Sequence, residues 1–152
     1  MHLHYYLVGG GNQSFLKKVA QKNRIEDCVS FLGALSHEKV MQCLDEMDFY
    51  IHPSKQEGLP RALIEAMSRG LPSIGTNVAG IPELLSKDFV IKKGSANSVV
   101  DAILRIIEKD VLLREAKRNF KVAQEYTADV INQRRDSFIR QFLIENSLME
   151  KD

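Results

Sequence analysis

The segment "EGLPRALIEAM", Glu57 to Met67, holds two glutamates with seven residues between them. The residues from Pro60 to Arg69 read as a helix, and at about 100° per residue they separate into two faces. Ala62, Leu63, Ile64, Ala66 and Met67 fill one apolar arc, while Arg61, Glu65, Ser68 and Arg69 fill the rest. Glu65 has two readings. It is either the middle of an Arg61–Glu65–Arg69 surface ladder, worth about 0.3 kcal/mol per pair, or a bidentate acceptor for a diol. Glu57 lies outside the helix, just before Gly58. There it either offsets the positive end of the helix dipole, worth about 0.5 kcal/mol, or faces a ligand at the helix mouth. The amides around Gly58, Leu59 and Arg61 are unpaired at a helix start and suit an anion or sugar hydroxyls; Pro60 has no donor.

Other chemistry-bearing residues are sparser. "GGGN", from Gly9 to Asn12, lacks the GxGxxG spacing of a dinucleotide site and reads as a tight turn after a strand. His2, His4, His37 and His52 are scattered, so no metal site is expected. His52, at a strand end, either faces a ligand or is a hydrogen-bonded structural histidine, and the second reading is preferred. Cys28 and Cys43 form no CxxC pair and read as reduced, packed thiols of a cytosolic protein.

The elements that position these residues alternate. Leu3–Val8 reads as a buried strand, Ser14–Gln21 as a helix with Phe15, Leu16, Val19 and Ala20 on one stripe, and Val29–Leu32 as a second strand. Ser36 can cap a helix lined by Val40, Met41, Leu44 and Met47. Phe49–His52 is a third strand, ended by Pro53. The glutamate helix follows, with Pro60 at its first position and Gly70 just past its end. Pro72–Thr76, a short helix within "NVAGIPELL", and Phe89–Ile91 come next, and helical patterns fill the chain from Ser95 onward. Strand–helix alternation with short turns implies α/β architecture, a Rossmann-like parallel sheet with helices on both faces. Ligands of such folds sit beyond the carboxyl ends of the strands. Three segments meet that edge: "GGGN", "HPSKQEGLPR" and "TNVAGIPE".

The bulk numbers limit the alternatives. The 152 residues fit one domain, residues 1–152, closing on a C-terminal helix over about 127–152. With 44% hydrophobic and 27% charged residues, the chain is neither disordered nor fibrous. A net charge of +1 gives no field to recruit nucleic acid or a membrane surface. The N-terminus has no signal-peptide pattern, and no stretch approaches the roughly 20 apolar residues of a membrane span. A cytoplasmic location is expected, at the inner face of the membrane where the acceptor is lipid-linked.

The stretch "HPSKQEGLPRALIEAMSRGLPSIGTNVAGIPELL" resembles the core of the retaining, nucleotide-sugar-dependent glycosyltransferases of the GT-B fold, group 1. The similar features are a Pro-Ser ending a strand, Glu-x7-Glu, "EAM" followed by Gly-x-Pro, a strand, and Gly-x-Pro-Glu. Weaker similarity extends through "VSFLGALSHEKV" and "MDFYIHPS" and into the terminal helices, nearly the whole chain. The resemblance implies transfer of a glycosyl group from a nucleotide diphosphosugar to an acceptor hydroxyl, with retention. It implies no metal and no cofactor beyond the donor substrate. By the same resemblance Glu57 lies against the donor sugar as the catalytic carboxylate, and Glu65 accepts from the ribose hydroxyls. Gly58, Leu59 and Arg61 meet sugar and phosphate, and Gly33, Leu35 and Ser36 border the base.

Two departures shape the expectation. Enzymes of this kind have two Rossmann-like halves, and this chain corresponds to the C-terminal, donor-binding half. It also begins at what would be that half's second strand, without the first strand and helix and the arginine and lysine that neutralise the diphosphate. The flanking strands must then close the gap or leave two unpaired edges, which predicts an oligomer. A truncated donor domain, inactive alone, is therefore expected. The alternative is a non-catalytic nucleotide-sugar binding or assembly module that needs a partner chain. A nucleotide-sugar epimerase of the same fold ranks below both, since epimerases lack the glutamate pattern. Sugar, base, acceptor and linkage are not encoded in any motif of the chain.

Overall fold

The computed structural model describes residues 2–146, so the end of the helix expected over 127–152 lies outside the described residues. The chain divides into two compact units, Met1–Glu46 and Met47–Asp152.

The first unit contains β1 (Tyr5–Val8), α1 (Ser14–Asn23), a 3-10 turn (Glu26–Cys28), β2 (Val29–Gly33) and α2 (His37–Asp45). β1 and β2 pair in parallel, Tyr5 opposite Val29, with an irregularity after Leu7. The expectation of a buried first strand is corrected here. Tyr5, Tyr6 and Val8 are each 40% exposed, and Phe15 on α1 is 72% exposed. Alternation and helical periodicity report which side is apolar, not whether anything covers it. Of the α1 stripe only Ala20 is buried. Ser36 caps α2 as expected, its hydroxyl accepting from the Lys39 amide at 3.4 Å.

The second unit contains β3 (Tyr50–His52), α3 (Arg61–Ser68), β4 (Ser73–Thr76), α4 (Ile81–Leu84), a 3-10 turn (Lys87–Phe89), β5 (Val90–Ile91), α5 (Ala96–Ile106), α6 (Lys109–Gln124) and α7 (Ala128–Glu145). The strand order is β3-β4-β5, all parallel. Every residue of β4 is buried, as befits a central strand covered on both faces. One core joins Leu63 and Met67 of α3 to Ile81, Leu84, Leu85 and Ala123. A second joins Ile74, Phe89 and Ile91 to Ala102 and Ile106. The parallel α/β class holds. Among the described residues β1 has a ladder only with β2, and β3 only with β4, so each carries one edge without a strand partner.

α3 differs from expectation at two points. Pro60 is the N-cap, in an extended conformation (ψ 106°), rather than the first helical residue. Its carbonyl accepts from the Leu63 and Ile64 amides, both at 3.2 Å. Ala62, placed on the apolar arc by the wheel, is exposed, because only the side holding Leu63, Ala66 and Met67 is covered. Gly70 takes the left-handed conformation expected just past the helix, φ 74°.

Candidate functional site

The site is built around the loop between β3 and α3. A strand places every second side chain on one face, so Tyr50 and His52 stand together, rings 5.9 Å apart and stacked. The strand stops at Pro53, which has no amide for the ladder. A tight turn follows, the Ser54 hydroxyl donating to the Gln56 carbonyl at 3.0 Å. Thr76, at the end of β4, donates its hydroxyl to the Ser54 carbonyl at 2.6 Å. The turn brings Glu57 back to the strand end, where its Oε1 lies 2.8 Å from His52 Nε2. His52 Nδ1 lies 3.1 Å from the Tyr50 hydroxyl.

The His52 side chain is 15% exposed and that of Glu57 27%. The hydrogen bond to His52, and then one to the Ser54 hydroxyl, hold the Glu57 carboxyl below the usual glutamate range, against a smaller upward push from burial. An acid that is mostly covered but keeps its charge can serve as a fixed negative pole.

A second loop braces the first. Gly80, between β4 and α4, donates its amide to the Gly58 carbonyl at 3.1 Å. A Cβ at Gly80 would stand 3.0 Å from Leu59 Cδ1 and 3.1 Å from the Gly58 oxygen. A side chain at this position would press the two loops apart by a few tenths of an ångström, so their close approach favours glycine. Ala79, just before it, holds a left-handed φ of 44°.

The expected site residues fall in both units. Glu57, Gly58, Leu59, Arg61 and Glu65 belong to the second. Leu59 is 46% exposed, Arg61 is exposed at the first turn of α3, and Glu65 is half-buried one turn further on. The Glu65 carbonyl accepts from the Ser68 hydroxyl at 2.7 Å. Gly33, Leu35 and Ser36 belong to the first unit. Gly33 ends β2 with φ 68°, and its carbonyl accepts the Gly9 amide at 2.8 Å, which joins "GGGN" to the "GALS" loop. Leu35 is half-buried and Ser36 exposed.

Two contributors are missing from the expected set. His52 reads from sequence as a hydrogen-bonded histidine, which the structure bears out, with Glu57 as the partner that the sequence did not name. The available signal was the spacing His-Pro-Ser-x-x-Glu, in which proline ends the strand and a short turn returns the acid. Gly80 was the other, its role visible only once both loops are folded. Among the described residues no three His, Cys, Asp or Glu side chains gather as a metal site would.

Comparison with known proteins bears on this geometry. The family model described as Glycosyl transferases group 1 matches residues 2–123. The amylovoran biosynthesis glycosyltransferase AmsK of Erwinia amylovora is 31% identical over 138 residues, which are 83% of this chain and 34% of that protein. The phosphatidylinositol N-acetylglucosaminyltransferase GPI3 subunit of Saccharomyces cerevisiae is 31% identical over 106 residues, 67% of this chain and 24% of that protein. The chain thus spans about a third or less of the length of these relatives. Among solved structures, Anabaena Alr3699/HepE in complex with UDP superimposes with a TM-score of 0.82 at 23% identity, covering 91% of this chain and 41% of that one. This likeness carries the fold; the family match over residues 2–123 carries membership. The chain belongs to the group 1 glycosyl transferases.

Proposed function

We propose that the chain is the donor-binding part of a retaining glycosyltransferase that moves a hexosyl group from a nucleotide diphosphosugar to an acceptor hydroxyl. In this reading it is the C-terminal half of a GT-B enzyme and transfers sugar only with an acceptor-binding half. The observation that carries the reading is Glu57: a carboxylate kept ionised, only partly open to water, on the loop leading into α3. As the nucleoside diphosphate departs, positive charge develops at the anomeric carbon. A fixed negative charge beside that carbon stabilises the transition state more than the ground state. The amides of Gly58, Leu59 and Arg61 meet sugar and phosphate oxygens at the helix mouth, and Glu65 accepts from the ribose diol. Gly33, Leu35 and Ser36 border the base. No metal takes part, and the acceptor is a glycan or lipid-linked sugar at the inner face of the membrane. Support for a uridine donor comes from Anabaena Alr3699/HepE, solved with UDP-glucose.

The test is a transfer assay with a panel of nucleotide sugars, on this chain alone and on the chain together with an acceptor-binding half. Product anomeric configuration is read by NMR. Transfer by the pair alone, with retained configuration, is the expected result. Inverted product would overturn the mechanism, and transfer by the 152-residue chain alone would overturn its dependence on a second half.

A further inference from the structure

The Tyr50–His52–Glu57 chain of contacts has a direction. An ionised carboxylate only accepts hydrogen bonds. With Glu57 in that state, the proton between it and His52 belongs to Nε2, 2.8 Å from Oε1. In a ring that carries this one proton Nδ1 accepts, and the group opposite it is the Tyr50 hydroxyl at 3.1 Å. The order is Tyr50 O–H to Nδ1, and Nε2–H to Glu57. Tyr50 and His52 lie on one short strand whose partner β4 is buried throughout, and Tyr50 also packs against the core of Leu63 and Met67. The donor is thus anchored in the sheet, while the acceptor sits on a loop. Glu57 is the member that would move without its partner, because its own backbone belongs to no strand or helix.

We propose that His52 is the positioning residue for Glu57, holding the carboxylate in place through Nε2–H, with Tyr50 fixing the imidazole tautomer. The relevance of this to catalysis rests on the reading that Glu57 faces the donor sugar. His52 touches neither sugar nor phosphate in this scheme and acts through the acid. A bound second partner also narrows the carboxylate's freedom before donor arrives, so less order is lost on binding. The charged or titratable groups facing Glu57 are few: His52 from β3 and, through it, Tyr50, with the Ser54 hydroxyl from its own loop.

The experiment uses the 152-residue protein labelled with 13C and 15N. Long-range 1H–15N correlations report the His52 tautomer, and the Glu57 side-chain carboxyl is followed through an acid titration. The expected tautomer carries its proton on Nε2. In His52→Leu the Glu57 midpoint should move up toward the ordinary glutamate range. In His52→Gln, whose amide N–H can stand near the Nε2 position, most of that rise should be reversed. Tyr50→Phe should mix the two tautomers. A Nδ1–H tautomer in the wild type, or an unchanged Glu57 midpoint in His52→Leu, overturns the proposal. Saturation transfer to UDP-glucose supplies the functional arm. Hexose signals should fall in His52→Leu and return in His52→Gln, with uridine signals unchanged; equal hexose signals in all three proteins overturn the positioning role. Should Glu57→Gln leave turnover unchanged once an acceptor-binding half is present, the donor-site reading fails, while the carboxyl titration still decides between His52 and its absence as the holder of Glu57.

Discussion

Glu57 binds protons less readily in the folded chain than in the unfolded one, because His52 first and Ser54 second hydrogen-bond to its charged form. A depressed folded pKa gives stability that is present above the unfolded glutamate value and disappears as pH falls through the folded one. The stability of the wild type relative to Glu57→Gln should therefore be greatest near neutrality and should shrink steadily below the ordinary glutamate range. Urea titrations of both proteins at a series of pH values would show it, whatever offset the amide itself introduces. A constant gap would mean that the acid gains nothing from His52. Catalysis supplies a separate prediction. Losing one charge-assisted interaction of about 1.5–3 kcal/mol corresponds to roughly 10- to 150-fold in rate. With an acceptor half present, Glu57→Gln should lower kcat by that factor and change the donor KM little, whereas Glu65→Ala should chiefly raise the donor KM. The spacing singled out both acids but left each readable as a plain surface charge, and their donor-site roles came from the family resemblance alone. The hydrogen-bonded character of His52 was legible too, but its partner was not, because a contact made across a turn leaves no periodic trace.

At the scale of elements, close approach is what the glycines encode. Gly75 lies in the middle of β4, where an added Cβ would stand 2.6 Å from Ile81 Cγ2 and 3.0 Å from Leu85 Cδ1. Both neighbours are buried core side chains, so room can come only from shifting α4 off the sheet. Gly75→Ala should cost about 1–3 kcal/mol, read as a lower urea midpoint at unchanged m-value. Gly80→Ala presses instead on the Gly58 carbonyl and on Leu59, both in the β3–α3 loop outside the core. Its expected signature is reversed: a small change in the urea midpoint, but weaker UDP-glucose binding by NMR titration, since the loop amides move. Equal effects of the two substitutions on stability would show that the β3–α3 loop is no softer than the core. Element order was legible because Gly33, Pro53, Gly70 and Pro72 punctuate it. Their ends were less so: Pro60 suits both the N-cap and the first helical position, and the tertiary bond from Gly80 to Gly58 selects how the chain enters α3.

Across the whole molecule, burial is unevenly shared. The second unit owns both core clusters, and polar contacts tie α6 to the rest: Asn119 Nδ2 donates to the Leu71 carbonyl at 2.9 Å, and the Ser86 hydroxyl donates to Glu115 at 2.8 Å. Among its described residues the first unit has two strands and two α-helices, and the buried apolar ones are Ala20 and Leu44. Its apolar stripes were legible in the sequence; their exposure was not, since strand and helix patterns look alike whether or not a partner covers them. Local stability follows the number of buried contacts that must break for an amide to open, and a two-stranded sheet is marginal by itself. Hydrogen exchange should therefore divide the chain. The amides of Ser73–Thr76 should exchange slowest, near the limit of global unfolding, and those of Tyr5–Val8 and Val29–Gly33 faster by orders of magnitude despite their parallel ladder. Mass spectrometry of peptic fragments covering the two sheets would measure the difference directly. Comparable protection in both would mean that β1 and β2 are stabilised by contacts beyond their own unit, as they would be if the exposed faces of Tyr5, Tyr6 and Phe15 were covered in solution by a second copy of the chain; a dilution series would then make that protection depend on concentration.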